Sequence, residues 1–488
     1  LRGADGVNAA AAQEPSSLER RAATGAVWSL VSFGGGQAVR FAGNLVLSRL
    51  LLEEHFGLMA LVNVLLVGLQ LFSDVGIGPS IVQSERGDER RFLDTAWSLQ
   101  VGRGALLWVA TWVCAAPFAA LYGDARLAQI LPIAGATALI AGFNATKLFT
   151  ASRHLHLRAL VLVELGAQLS AFGAMVLWAW FDPSVWALVA GGVVSALVRM
   201  ALSHLALPGA GNRFTWDSSA ARSLISFGRW IFLSTVLTFF VQQSDRLIFG
   251  KLIPLTLLGV YSMAVMLATQ PTTAIGSLAS QVLFPYLSRV QREGRDLGEL
   301  FNRRREPLLA LAGWVLSGLA AGGPVIVRLL YDDRWLEAGW IVQLLALAGW
   351  FSALEMTNGS FLLARGDSKL VAASGAAKLA AMLVFIPLGH HFAEFPGAVA
   401  GYAASDLVRY GVSLGAVSRR GAKSLALDAR LTLLGAAACV AGALAAYFCA
   451  DFPDGLGAAA VFVAVSLVWS PLAVRLWPQL RSTLRRDA

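Results

Sequence analysis

Apolar residues run along this chain in fourteen blocks, each about as long as a bilayer is thick, with the polar residues gathered between them. A hydrocarbon core of about 30 Å takes roughly 20 residues of helix. The blocks fall at 24–48, 56–82, 94–121, 126–150, 159–181, 184–207, 223–249, 256–284, 307–331, 338–364, 370–391, 395–417, 429–450 and 456–477. With the backbone needing internal hydrogen bonds in lipid, the pattern predicts an all-α polytopic bundle of about 14 transmembrane helices. A 57% share of hydrophobic residues and a mean hydropathy of +0.63 leave no room for a large soluble domain.

The charges then orient the bundle. When cations at span ends are counted with the connection they adjoin, 26 of the 39 Lys and Arg lie on the tails and even-numbered connections. Five lie on odd-numbered connections and 8 within the spans. By the positive-inside rule both termini are expected in the cytoplasm. The net charge of +9 is spread over short loops beside apolar helices, so it reads as membrane orientation and not as a nucleic-acid footprint. Residues 1–23 read as a disordered cytoplasmic tail without a cleavable leader, and 478–488 as a second tail. Only the connection around Arg289 to Glu306 approaches 20 residues, so no loop holds a folded catalytic domain.

An internal echo divides the spans. Ser29-Leu30-Val31-Ser32-Phe33-Gly34 opens the first and Ser223-Leu224-Ile225-Ser226-Phe227-Gly228 the seventh. Each is followed by an outward turn and an incoming segment with glycine early in it, Phe56-Gly57-Leu58-Met59 and Leu258-Gly259-Val260-Tyr261. The expectation is two six-helix halves, 24–207 and 223–418, of the same orientation, joined by a linker at 208–222 and followed by a terminal helix pair at 429–477.

Ionisable residues inside the spans are the candidate chemistry. Arg40, Arg103, Lys147, Arg199, Arg229, Arg246, Lys378 and Arg409 are intramembrane cations, and each at mid-depth costs about 2.5–3.5 kcal/mol if it faces lipid. Lys147 and Arg199 lie near inner ends and can snorkel. The other six must meet water, an anion or a partner. For one arginine a structural ion pair competes with a ligand role; for the set, a hydrated cationic cavity is the favoured reading. The acids in the spans are Asp74, Glu164, Asp245, Glu355 and Asp406, of which Asp406 stands one turn from Arg409 and is a candidate to pair with it. These acids are also the candidates for coupling to an H+ or Na+ gradient, because burial raises a carboxyl pKa.

Helical spacing puts Gln37, Arg40 and Asn44 on one face of the first span, and Gln70 and Asp74 on one face of the second. Ser234, Thr238, Gln242 and Asp245 make a stripe on the seventh, and Thr269 or Gln270, Thr273, Ser277 and Gln281 on the eighth. Ser352, Glu355 and Asn358 form a shorter one on the tenth, while Thr273 and Ser277 read better as helix–helix hydrogen bonds. Gly35, within Gly34-Gly35-Gly36, marks close packing or a bend, and Pro271 should kink the eighth span.

Cys114, Cys439 and Cys449 have no metal-ligand or CxxC spacing, the six histidines have no ligand partners, and no HExxH, GxSxG or Walker motif occurs. No metal, cofactor or enzymatic chemistry is indicated.

Several segments carry a family resemblance. They are Arg49-Leu50-Leu51 through Phe56-Gly57-Leu58, Asp74-Val75-Gly76-Ile77-Gly78, Asp245-Arg246-Leu247-Ile248-Phe249-Gly250, Leu258-Gly259-Val260-Tyr261-Ser262 and Leu283-Phe284-Pro285-Tyr286-Leu287-Ser288-Arg289. Over about Arg21 to Arg419 the chain resembles the polysaccharide and O-antigen repeat-unit flippases of the multidrug/oligosaccharidyl-lipid/polysaccharide exporter superfamily. The resemblance implies two lobes in a V that open alternately, in a bacterial inner membrane. It implies a polyprenyl-diphosphate-linked oligosaccharide as substrate, with Arg40, Arg103, Arg229, Arg246, Lys378 and Arg409 as candidates to hold the diphosphate. Gln37, Asn44, Gln70, Gln242 and Gln270 would line the same lumen. A polysaccharide polymerase and chain-length machinery are the implied partners of a monomer. The terminal pair departs from the common twelve-span form, as in lipid II flippases. The alternatives are a lipid II-type flippase, an ion-coupled multidrug exporter, for which the cationic surplus is wrong, and a membrane glycan polymerase or ligase, for which no loop is long enough.

Overall fold

The computed structural model describes residues 17–74 and 76–484, and within them the side chains other than those of 17–33, 223, 225–234, 299 and 479–484. The described residues form helices and no strand. In chain order these are α1 (Ser17–Leu50), α2 (Glu53–Phe72), α3 (Ile77–Gln83), α4 (Arg90–Tyr122), α5 (Arg126–Gly142), α6 (Lys147–Arg153), α7 (Leu157–Phe181) and α8 (Val185–Leu205). There follow α9 (Ser218–Leu252), α10 (Leu255–Leu278), α11 (Phe284–Arg292), α12 (Leu297–Leu330), α13 (Ala338–Ala364), α14 (Ser368–Arg419), α15 (Leu425–Phe448) and α16 (Asp454–Leu484).

Nine of the described helices are long and apolar enough to cross a membrane, and ten if α5 and α6, bent by 58°, are one span. α14 is two spans, because Ala393 and Glu394 leave helical geometry and fold its halves back on each other. Glu394 takes φ 48° there, a conformation unfavourable to any side chain other than glycine's. Close packing holds the turn: a Cβ on Gly389 would lie 2.0 Å from the Gly397 carbonyl oxygen, and the reverse is equally true. α1, α9 and α10 are 34, 35 and 24 residues long and carry more polar residues. With them the bundle has fourteen crossings, as the hydropathy blocks predict.

Sequence expectation and structure part at three helix breaks. The second block is interrupted at residues 73–76 between α2 and α3, and the fourth at 143–146 between α5 and α6. The long connection around Arg289 to Glu306 is mostly helix, since α11 continues to Arg292 and α12 starts at Leu297, capped by the Asp296 carboxylate accepting from Gly298 N. In the eighth span α10 stays helical through Pro271, and the departure from α geometry is a π-helical turn at Ala279–Leu283. The glycines at 35, 36 and 43 do not break α1 but seat it on α7, against Leu165, Gln168 and Phe172.

One end of the bundle carries the turns between α1 and α2, α4 and α5, α9 and α10, and α12 and α13, three of them acidic through Glu53, Glu54, Asp124, Asp332, Asp333 and Glu337; the other carries the basic connections. At the acidic end α2 and α10 cross backbone to backbone. A Cβ on Gly57 would sit 2.0 Å from Leu255 O, and one on Gly259 1.9 Å from Glu53 O. The two echoed glycines therefore meet each other's helices in a near-symmetric pair. Around them Leu58, Leu61, Phe249, Leu258 and Tyr261 form a core without exposed surface. Trp335, fully buried, donates through Nε1 to Ser48 O, and Arg334 donates to Ser48 O at 3.0 Å and Leu51 O at 3.3 Å, capping the C-terminal carbonyls of α1. Tyr331 OH donates to Asn44 Oδ1 and Tyr122 OH to Leu247 O. The acidic end is sealed.

α9 bridges the two halves. Its beginning, capped by Asp217, packs Ala220 and Leu224 against Ile77, Ile81 and Phe92 of α3 and α4. Its end meets α10 and α14 through Phe249, Tyr261 and Phe395. α15 and α16 pack on α12, with Trp469 reaching across Gly313 and donating to Ser317 Oγ.

Candidate functional site

The intramembrane cations do not form one cluster. In the C-terminal half two of them, Lys378 and Arg409, are matched by acids. Lys378 Nζ lies 2.7 Å from Asp406 Oδ1, both nearly without exposed surface, and sits 4.9 Å above the Tyr402 ring. Arg409 pairs with Glu355 at 2.8 Å. Asp406 thus binds Lys378 across the α14 hairpin and not Arg409 one turn away, which corrects the local-pairing expectation. Ser352 donates to Asp406 and Ser374 to Glu355, while Asn358 joins Ser413 and Arg305. The polar stripe on α13 accordingly knits α13 to its neighbours. Arg246 donates to Gln243, and Asp245 accepts from the buried Tyr261 hydroxyl. The Arg229 side chain lies outside the described residues.

The N-terminal half is different. Arg40 is exposed and donates twice to Gln37 Oε1, at 2.9 and 2.7 Å, one turn below on α1. Gln37 in turn donates to Gln270 of α10, a side-chain contact between the two halves. Arg103, on α4, donates to Ser73 Oγ at 2.9 Å and to Gln70 O at 2.6 Å, at the broken end of α2. Neither arginine has a carboxylate within 4 Å among the described residues. Arg199 on α8 stands 3.6 Å from Glu164 on α7, which accepts from Gln168. Gln168 and Arg40 both flank Gly36. A polar track therefore runs from α8 through α7 and α1 to α10.

Beside this track lies a cavity of about 450 Å3, lined by Gln70, Asp74, Gln100, Arg103, Asn144 and Arg199 among others. It sits where the α2–α3 and α5–α6 breaks face each other. Interrupted spans are a recurrent way to free backbone groups around a site in a membrane transporter. Gln100 Nε2 reaches the carbonyls of Ala141, Gly142 and Asn144, each at 3.1 Å, and so holds the end of α5. Gln100, Asn144 and Gln168 are absent from the sequence-derived set. The spacing of Gln100 and Arg103, and of Glu164 and Gln168, one turn apart, was the available signal.

Of the other sequence candidates, Gln70, Gln242 and Thr273 are exposed. Asn44 is part of the acidic-end seal. Thr273 bonds its own helix at Thr269 O, and Ser277 accepts from Gln281 on the same span, so neither forms the helix–helix bond expected of it. Lys147 snorkels to His204 O. A buried pair outside the candidate set, Arg305 with Asp428, ties α12 to α15 and is completed by Asn358 and Tyr410.

A bundle of fourteen crossings with two interrupted spans and an interior polar track is the architecture of a multi-pass membrane transporter. Its fold is similar to that of a solved structure titled "Lipid II flippase MurJ, inward closed conformation", with a TM-score of 0.74 over 93% of this chain and 99% of that one, at 10% identity. Residues 46–339 match the model of the family described as polysaccharide biosynthesis protein, and the chain belongs to that family. Relatives include the teichuronic acid biosynthesis protein TuaB of Bacillus subtilis, 25% identical over 62% of each chain, and the lipopolysaccharide biosynthesis protein WzxC of Escherichia coli, 23% identical over 72% of this chain and 71% of that one. The match spans about three fifths of the length of TuaB.

Proposed function

We propose that this protein moves polyprenyl-diphosphate-linked oligosaccharides across a bacterial inner membrane by alternating access, for the synthesis of a surface or secreted polysaccharide. The observation that carries the reading is the Arg40 guanidinium, held inside a span without a carboxylate partner among the described residues. An uncompensated cation at membrane depth costs several kcal/mol, and an anionic headgroup passing through a wet interior recovers it by charge-assisted hydrogen bonds. Family membership and the polysaccharide-related names of the relatives support the same substrate class.

In this reading the basic end faces the cytoplasm with both termini, and the sealed acidic end faces the periplasm. The sugars and diphosphate travel inside while the polyprenyl tail stays in lipid. An H+ or Na+ gradient biases the cycle through Asp74, Glu164, Asp245, Glu355 or Asp406. The protein works as a monomer, handing its product to a polymerase and chain-length machinery.

The test is deletion of the gene in its host and analysis of lipid-linked oligosaccharides by leaflet. Completed units accumulate on the cytoplasmic leaflet; the intact gene clears them and the Arg40→Glu variant, expressed at the same level, does not. Wild-type export by Arg40→Glu overturns the reading.

A further inference from the structure

The cavity at the two helix breaks differs in chemistry from a phosphate site. Phosphate sites are lined by donors, whereas this one presents acceptors as well. Asp74 and Gln100 both line it and carry acceptor oxygens. Asp74 uses one oxygen on Gly76 N and Gln100 spends its amide nitrogen on the end of α5, which leaves Asp74 Oδ2 and Gln100 Oε1 for a ligand. Of the two cations in the wall, Arg199 is shared with Glu164, and Arg103 lines the same space as Asp74. The charges nearly cancel. A diphosphate placed here would meet the Asp74 carboxylate and the Gln100 amide oxygen.

A hydroxyl both donates and accepts, and planar side chains such as Asp, Asn, Gln and Arg present paired atoms at the spacing of neighbouring hydroxyls. The remaining wall is apolar, with Leu107, Ile77 and Phe149, and suits the C–H face of a pyranose. Its volume falls within the range of about 300–1,000 Å3 usual for small-ligand sites.

We infer that this cavity is a glycan subsite: it takes a sugar residue of the lipid-linked oligosaccharide, while the diphosphate is held on the Arg40 side of the polar track. The inference rests on the transport reading and adds a division of labour to it. Arg103 and Arg199 orient hydroxyl or carboxyl groups of the sugar, Asp74 and Gln100 accept from hydroxyls, and Phe149 carries the ring face.

The experiment uses the full chain in nanodiscs and two probes: undecaprenyl diphosphate, and the same lipid carrying the host's repeat unit, isolated from the deletion strain. Two variants are compared with the wild type. Asp74→Asn removes the carboxylate acceptor and keeps the oxygen on Gly76 N; Ala141→Phe fills the cavity without replacing a polar side chain. Expected is a tenfold or greater loss of affinity for the glycosylated lipid in both variants, with affinity for the bare diphosphate unchanged within twofold. A parallel loss for both lipids, or wild-type affinity of a stably folded Ala141→Phe protein for the glycosylated lipid, overturns the subsite. Failure of the wild type to bind either lipid overturns the transport reading, and the subsite with it.

Discussion

The crossing of Gly57 and Gly259 makes the acidic-end seal a measurable quantity. Replacing either glycine by alanine places a Cβ about 2 Å from a backbone carbonyl oxygen, where real Cβ contacts essentially never fall below 3.0 Å. α2 and α10 must therefore part by about 1 Å, and a radial gap of that size forfeits a quarter to a half of each dispersion contact across the join. Overpacking of this kind costs about 1–3 kcal/mol. The cost falls only on the sealed state, because separated helices leave the methyl group free. The ratio of open to sealed molecules then rises about 5- to 150-fold. The readout is Ser48→Cys, a position without exposed surface beneath Trp335, in a background where Cys114, Cys439 and Cys449 are alanine. Labelling by a membrane-impermeant maleimide from the periplasmic side should accelerate by that factor in Gly57→Ala and Gly259→Ala. Gly455→Ala, whose Cβ meets nothing within 4 Å, is the control. Equal labelling rates in all three refute the crossing as the seal.

Arg334→Ala removes the guanidinium from the α1 carbonyls and should raise labelling at the same cysteine without lowering expression. Lys378→Met leaves Asp406 buried without its cation, a change of about 3–5 kcal/mol in the unfavourable direction, seen as a lower thermal midpoint in detergent. Pairing it with Asp406→Leu should restore most of that loss; if the double variant is as unstable as the single, the pair is not the source of the effect. Arg305→Met should loosen α15 from α12, read as faster proteolysis in the loop around 449–453, and Arg305→Met with Asp428→Leu should again recover.

The crossings were legible in the sequence because hydropathy reports solvation, and lipid imposes one solvent on every span. Even the reversal at Ala393 and Glu394 was readable as the gap between the blocks at 391 and 395. The breaks at 73–76 and 143–146 were not, because a few polar residues inside an apolar block look the same whether the helix continues or bends. Their signals were the local groupings Ser73-Asp74-Val75-Gly76 and Phe143-Asn144. The charged run Arg303–Glu306 reads as loop by charge, yet it is helix, with Arg305 drawn inside by Asp428 from a helix more than a hundred residues on. Partner choice is the least legible element. Periodicity offers Arg409 as the neighbour of Asp406, whereas the α14 hairpin, invisible to periodicity, brings Lys378 nearer.

That partner choice has a mechanical consequence. With Lys378 matched to Asp406 and Arg409 to Glu355, these parts of the C-terminal half hold their charges internally and need no solvent or ligand to satisfy them. Arg40 and Arg103 in the N-terminal half keep guanidinium donors available, and Arg103 lines the cavity at the two helix breaks. A substrate binding the second set gains interactions that the first set cannot offer. Any conformational preference it induces passes through the contacts between the halves, among them Gln37 with Gln270 near the track and α2 with α10 at the seal. Gln37 is the hinge of this argument, since its amide donates to Gln270 while its oxygen accepts from Arg40. An anion that draws Arg40 away from Gln37 also weakens what holds Gln37 toward α10. Gln37→Leu should then uncouple the two events: binding of the lipid-linked oligosaccharide persists, while its effect on Ser48→Cys labelling disappears. Substrate-dependent labelling that survives Gln37→Leu would place the coupling elsewhere.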